Sequence, residues 1–209
     1  MKEDYKIIKK AVPIEICKLA AIEYQIQQDC CRVFFPDVSM ADLSPNSFAR
    51  YSPLCFEALS VYLLPLLEEA VGEKLYPVYS YARIYYQGSR LDPHIDRMSS
   101  EISVSVCIEK DIRDWPLYIK TKFNDTYEIN LDQGDIVVYK GNEQEHWRNT
   151  FEGEKQIQCF LQYVKAKGDK AWLKWDTRPC LGLPFDYASE AVKEEMNHVL
   201  AADKLAGKI

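Results

Sequence analysis

YPVYSYARIYYQGSRLDPHIDRMSSEISVSVCI, residues 76–108, is the stretch whose reading decides the fold. It reads as a strand rich in tyrosine and β-branched residues from Val78 to Tyr86, then a turn at Gln87-Gly88-Ser89. A short extended run carries His94-Ile95-Asp96, and a second alternating strand follows from Glu101 to Ile108. In an extended segment side chains alternate, so His94 and Asp96 point to the same face and can offer an imidazole nitrogen and a carboxylate oxygen to one point in space. A His-x-Asp triplet is common by chance, so a metal site needs a third ligand from elsewhere.

Downstream, Asp132-Gln133-Gly134-Asp135 reads as a turn, with Gly at its tight position, leading into a buried strand Ile136 to Tyr139. Gly141-Asn142 makes a second turn, and Glu145-His146-Trp147-Arg148 follows. Two His and one carboxylate on one face of an octahedral ion, with positions left open, suit non-haem Fe(II) in oxygen chemistry. His94 and His146 are two of the three histidines in the chain. The third, His198, lies beside the apolar stripe of a C-terminal helix and reads as surface or packing.

LDPHIDR, the serine-alternating strand after it, QGDIVVYKG and EHWRNTFEGEKQIQCFLQYV together resemble the core of the Fe(II)- and 2-oxoglutarate-dependent oxygenases, prolyl-hydroxylase-like branch, over roughly residues 76 to 164. The resemblance implies a double-stranded β-helix (jelly roll, cupin-like), iron held by His94, Asp96 and His146, and 2-oxoglutarate and O2 as co-substrates. It also implies a basic residue at the start of the last barrel strand for the far carboxylate of 2-oxoglutarate. Lys155, nine residues after His146, matches that position. Many members have Arg there, and Lys offers a point charge rather than a fork. If Lys155 points outward, Arg148 or Arg83 takes the role. Tyr86 resembles a tyrosine whose hydroxyl also touches the co-substrate, and reads equally as a core residue. Halogenating relatives have a small residue where Asp96 stands, so the resemblance implies hydroxylation, or demethylation through it. Arg97 is either substrate-facing or solvated. Arg148 shares the face of His146 in a regular strand, and Trp147 faces the other way.

The chain has 209 residues, 47% of them apolar, which fits one globular domain: helical support over 1–75, a jelly-roll core over 76–164 and an extension with a helix over 165–209. A net charge of −6 disfavours an electrostatic grip on nucleic acid. The longest apolar run, Leu59 to Leu67, is broken by Ser60 and Pro65, so neither a signal peptide nor a membrane span is expected. Seven cysteines without paired zinc spacing read as reduced thiols in a cytoplasmic protein.

In order along the chain, Tyr5 to Val12 reads as a strand, and a packing helix runs from Pro13 to about Gln28 with Ile16, Leu19, Ile22 and Ile26 on its apolar stripe. Cys31 to Tyr51 reads as a long loop that could serve as a lid. Ser52-Pro53 opens a second helix that Pro65 should kink and Gly72 should end. Residues 115–129 read as a hairpin, and a last helix follows Asp186. A zinc hydrolase on the same barrel and a non-catalytic jelly-roll binding module are the rival functions. The substrate, a small molecule or a protein, is not encoded in any readable motif.

Overall fold

The structure, a computed structural model, describes residues 4–34, 46–121 and 123–205, with side chains as far as residue 198. Its strands are β1 (Tyr5–Ile8), β2 (Ser47–Tyr51), β3 (Leu75–Tyr86), β4 (Leu91–His94), β5 (Ile102–Glu109), β6 (Leu117–Lys120), β7 (Thr126–Ile129), β8 (Ile136–Tyr139), β9 (His146–Arg148) and β10 (Lys155–Lys165). They form a six-stranded sheet in the order β1-β8-β5-β10-β3-β2 and a four-stranded sheet in the order β4-β9-β6-β7. Every pairing is antiparallel, as expected where no helix separates consecutive barrel strands. The strand order and pairing are those of the expected jelly roll.

The alternation within the large sheet sorts its two faces. In β5, Ile102, Val104, Val106 and Ile108 belong to the cluster packed under the helices, while Ser103, Ser105 and Cys107 take the opposite face. β10 does the same: Ile157, Cys159, Leu161 and Tyr163 face the helices, and Gln156, Gln158 and Gln162 face the other way. In β3, Ala82, Ile84 and Tyr86 lie on the helix side. The barrel interior is therefore unusually polar, and the sheet's apolar face is its outer one. Burying serine and glutamine stems against the second sheet is tolerable only where the cavity supplies hydrogen-bond partners.

Two helices cover that apolar face, α1 (Ile14–Phe34) and α2 (Leu54–Val71), and α3 (Glu190–Leu205) follows the extension. Cys17, Ala20, Tyr24, Gln28 and Cys31 are the buried face of α1, and the Tyr24 hydroxyl donates to the Ala82 carbonyl at 2.6 Å. Four expectations change here. The first helix continues to Phe34, so Cys31 to Phe34 are helical, Ser47 to Tyr51 form β2, and the middle of the expected loop, residues 35–45, lies outside the described residues. The Leu19, Ile22 and Ile26 stripe is not the packing face; it is exposed. And α2 runs unbroken through Pro65, whose exposed position lets water replace the hydrogen bond that the Val61 carbonyl loses. Ser52 does not cap α2 either. It sits at φ 58, and its hydroxyl accepts from Arg178. Gly72 ends the helix as read, at φ 80 with its N–H donating to the Glu68 carbonyl at 2.8 Å.

The extension from residue 166 is tied back to the body by buried charges. Arg178 donates to Glu57 at 3.1 Å and to the Val78 carbonyl at 3.0 Å, and Glu57 in turn accepts from Ser80 and Gly182. Asp176 accepts two bonds from Arg97, at 2.9 and 2.5 Å, and one from the Tyr51 hydroxyl at 2.7 Å. It does so from a left-handed run, Trp175-Asp176-Thr177 at φ 56, 57 and 60, a conformation that disfavours side chains. The seven cysteines are free thiols. No described helix is long and apolar enough to cross a membrane.

Candidate metal centre

Strand register brings the two imidazoles together. His94 ends β4, His146 begins β9, and the two are direct Cα partners in the antiparallel pair. Their ring centroids are 4.3 Å apart. Asp96, two residues beyond His94, is anchored by its own N–H donating to the Gly141 carbonyl at 3.0 Å. That turn must be glycine: a Cβ at 141 would strike the Asp96 carboxylate and the Ser103 hydroxyl. The sequence reading of Gly141-Asn142 as a turn thus had a further physical reason, close approach of backbone to a carboxylate.

The Nδ1 of His94 lies 2.8 Å from the Asp92 carbonyl and that of His146 lies 2.9 Å from the Gln144 carbonyl. A carbonyl can only accept, so both Nδ1 atoms carry the proton and both Nε2 atoms present lone pairs. Those lone pairs point at Asp96, whose Oδ1 lies 3.5 Å from His94 Nε2 and 3.6 Å from His146 Nε2. Two imidazole nitrogens and one carboxylate oxygen, all within 4.8 Å of one another, therefore converge on one point, and that donor set fits a divalent transition metal. The carbonyls behind the imidazoles fix tautomer and ring orientation, as outer partners of metal-bound histidines do.

The charges agree. Burial pushes the Asp96 carboxyl up, but His146, His94 and the Ser103 hydroxyl together outweigh it and hold the group at about 2. Burial, with His94 nearby, lowers His146 to about 4, so it is neutral at neutral pH and available as a ligand. The other carboxylate oxygen, Oδ2, is 3.2 Å from Ser103 Oγ, which is 2.6 Å from the Gln162 side-chain amide. One hydroxyl has one proton. A Gln162 amide that presents its NH2 to Ser103 leaves that proton for Asp96, a two-link chain that orients the carboxylate from β10.

The residues read as co-substrate contacts divide between the two faces of the sheet. Lys155 has the parity of Ile157 and Cys159, so it leaves the barrel on the outer side and pairs with Glu109 at 3.1 Å. Tyr86 likewise faces the helices, and its hydroxyl donates to Gln28 on α1 at 2.6 Å. Neither side chain reaches the interior: Tyr86 follows its core reading and not the co-substrate one, and Lys155 takes the outward course that leaves the role to Arg148 or Arg83. Arg148 does, two residues beyond His146 and on its face, 3% exposed. Its Nη1 donates to the Trp115 carbonyl, its guanidinium lies 4.9 Å from the centre of the Trp115 ring, and its Nε has no hydrogen-bond partner. Among the described residues no carboxylate pairs with it. Burial pulls its pKa down, while Tyr85, Cys107 and Tyr139 pull the other way. Gln156 Oε1 and Gln158 Nε2 are also buried without partners on the same strand face. A buried cation beside unfilled polar atoms fits the far carboxylate of a bound dicarboxylic acid. Arg83 is buried as well, between the Tyr81 and Tyr85 rings, with Nη1 3.3 Å from the Ser47 hydroxyl.

Arg97 is neither substrate-facing nor solvated, since its side chain is held by Asp176 and by the Tyr79 ring at 4.4 Å. Trp147 turns outward and stacks on Tyr118 with centroids 5.4 Å apart. His198 is exposed and takes no part. An open cleft of about 720 Å³, lined by Asn46, Tyr86, Asp111, Arg113, Glu152 and Glu154, contains none of the three metal-capable side chains. It lies at the start of β10, whereas Gln162, the residue behind Asp96, lies seven positions along that strand, about 23 Å away. Ser103, Gln162, Tyr139, Gly141, Gln156 and Gln158 were not read from the sequence as site residues. The parity of β10 was the signal that could have found the glutamines.

No family model matches the chain, and no curated protein sequence does. Solved structures do. A Pseudomonas putida prolyl-4-hydroxylase superposes with a TM-score of 0.60 at 12% identity, covering 78% of this chain and 94% of its own. HygX from Streptomyces hygroscopicus, crystallised with nickel and 2-oxoglutarate, gives 0.58 at 12%, covering 78% and 84%. The non-haem α-ketoglutarate-dependent carbocyclase SnoK from nogalamycin biosynthesis gives 0.62 at 11%, covering 88% and 89%. At these identities the likeness shows a shared fold, the one found in Fe(II)/2-oxoglutarate oxygenases.

Proposed function

We propose that the chain is an Fe(II)- and 2-oxoglutarate-dependent dioxygenase that hydroxylates a small-molecule or protein substrate and releases succinate and carbon dioxide. The observation that carries this reading is the convergence of His94 Nε2, Asp96 Oδ1 and His146 Nε2 in a barrel whose interior also holds the buried guanidinium of Arg148. Nickel and 2-oxoglutarate bound in HygX, on the same fold, support the same pairing of metal and co-substrate. The solved structures of like fold include a prolyl hydroxylase, a carbocyclase and an epimerase, so the fold alone leaves the reaction outcome open. Hydroxylation rests on Asp96, which occupies a position that a halide would need vacant.

Ferrous iron, when bound with 2-oxoglutarate and O2, supplies the oxidising chemistry. The protein supplies position and polarity. His94, Asp96 and His146 would hold the ion. Ser103 and Gln162 keep the Asp96 carboxylate in place. Arg148, buried with its Nε unpartnered, would neutralise the far carboxylate, and a fork suits a carboxylate better than the point charge of a lysine. Tyr139, whose ring meets His146 edge-on at 5.0 Å, and Trp115 wall the interior against water.

The test is anaerobic purification, addition of Fe(II), and measurement of 2-oxoglutarate conversion to succinate without a prime substrate, with His94→Ala as control. Succinate from the wild-type protein alone is the expected result. Metal binding without any turnover in a screen of metabolites and peptides favours a zinc-type hydrolase, and no metal binding at all favours a non-catalytic module.

A further inference from the structure

The outer face of α1 holds an apolar stripe that is exposed among the described residues. Leu19, Ile22, Ile26 and Val33 are 69, 60, 57 and 76% exposed. Their spacings of three, four and seven put all four on one side of the helix, opposite Tyr24, which is fully buried against the sheet. The helix is thus amphipathic in an inverted sense. Small and polar residues such as Cys17, Ala20 and Gln28 meet the sheet, while its larger aliphatic side chains meet solvent. Scattered exposed apolar residues are ordinary, but a seam at three-four spacing along one helix is the pattern of helix pairing.

We propose that α1 is a homodimer interface, packing antiparallel against α1 of a second copy of this chain across a two-fold axis between residues 23 and 24. The charges beside the seam select this occupant. Lys18, Asp29 and Arg32 lie on one flank, and Glu15 sits at the seam's N-terminal end. Glu15 and Arg32 are equidistant from that midpoint, and so are Lys18 and Asp29. A two-fold axis perpendicular to the helix brings the same flank of both copies together in reversed order. Each Lys18 then meets the partner's Asp29, each Glu15 the partner's Arg32, and Ile22 packs beside the partner's Ile26. A parallel pairing would set the Lys18 and Asp29 flank against the partner's other flank, leaving both without these partners, and would oppose Glu15 to the partner's Glu15. Self-complementarity of one patch under a two-fold axis is the requirement for a closed dimer. Asp29 and Arg32 already form an exposed ion pair 3.7 Å apart, so both side chains are held on the flank where the partner would find them.

The test is sedimentation equilibrium of the full chain over a range of concentrations and salt, independent of metal or turnover. The wild-type protein is expected to reach twice 24.3 kDa. Ile22→Glu/Ile26→Glu should stay monomeric at the same concentrations and melt where the wild type melts once diluted to monomer, because both side chains are solvated in the monomer. Lys18→Glu should weaken the dimer about tenfold, since symmetry repeats the lost pair twice and makes each repulsive. Lys18→Glu/Asp29→Lys should recover most of that loss, which only the antiparallel pairing explains. A wild-type chain that is monomeric throughout, or a dimer untouched by the Ile22→Glu/Ile26→Glu change, overturns the proposal. Failure of the charge swap to rescue overturns the antiparallel pairing.

Discussion

Arg148→Met separates a co-substrate contact from a structural arginine, because the two roles predict opposite effects on the unliganded protein. In the apo structure Arg148 is a buried guanidinium satisfied by one carbonyl and one aromatic face, with its Nε unpartnered. Methionine of similar length removes a charge that is costly to bury, and orphans only the Trp115 carbonyl, worth about 1–3 kcal/mol. The two changes oppose each other, so folding stability by chemical denaturation should shift little. Binding of 2-oxoglutarate should suffer. Leaving one member of a buried charge pair without its partner costs about 3–5 kcal/mol, which at 1.4 kcal/mol per decade is roughly a hundredfold to several thousandfold in the dissociation constant. The assay is calorimetric titration of 2-oxoglutarate into the anaerobic protein loaded with a redox-inert divalent metal, alongside the rise in melting temperature that the ligand confers on the wild type. Lys155→Met, on the outer face beside Glu109, should bind as the wild type does. An Arg148→Met protein that binds 2-oxoglutarate normally, or a Lys155→Met protein that does not, refutes the assignment of the interior cation.

Asp176→Asn removes the carboxylate that Arg97 grips with two hydrogen bonds and leaves the buried guanidinium only Glu195 at 3.7 Å and the Tyr79 ring, so denaturation midpoints should report a loss of about 3 kcal/mol, much of it recovered in Asp176→Asn/Arg97→Met. Gly141→Ala drives a methyl group into the Asp96 carboxylate and should weaken metal affinity by about 10- to 100-fold, read by competition with a chromogenic chelator. Asp135 gives a pH signature away from the site. Burial pushes its carboxyl up, but Lys9 at 2.7 Å and the N–H groups of Lys10 and Asp132 hold it below 3.8. A depressed folded-state pKa stabilises fully above the unfolded value and loses that contribution as pH falls through the folded one. The stability gap between wild type and Asp135→Asn should therefore be widest at neutral pH and shrink on acidification below pH 3.8.

The barrel and its metal triad were legible because each depends on local rules. Period-2 alternation marks β3, β5 and β10, and glycine marks the turns at 134 and 141, whereas the pairing that sets His94 opposite His146 came from the structure, the sequence having pointed to His146 through its turn and its resemblance. Lys155 was misread because resemblance was followed where parity should have decided: one residue along an extended strand exchanges the faces of the sheet. Lys155 keeps company with Ile157 and Cys159, and the interior position next to it is Gln156. The exposed stripe on α1 was misread for a related reason. Periodicity shows that Leu19, Ile22 and Ile26 share a face, but not which face meets the sheet, and here small residues won because Tyr24 needs the room to reach the Ala82 carbonyl. The clasp of Arg97, Asp176 and Tyr51 joins residues up to 125 positions apart through a left-handed run, and no local signal announces such a contact.

The metal triad is tested most directly by anomalous diffraction at the iron edge from crystals grown anaerobically with Fe(II). The expected result is a single strong peak about 2.0–2.2 Å from His94 Nε2, Asp96 Oδ1 and His146 Nε2. A peak elsewhere, or imidazoles turned so that their Nε2 atoms no longer face Asp96, would contradict it.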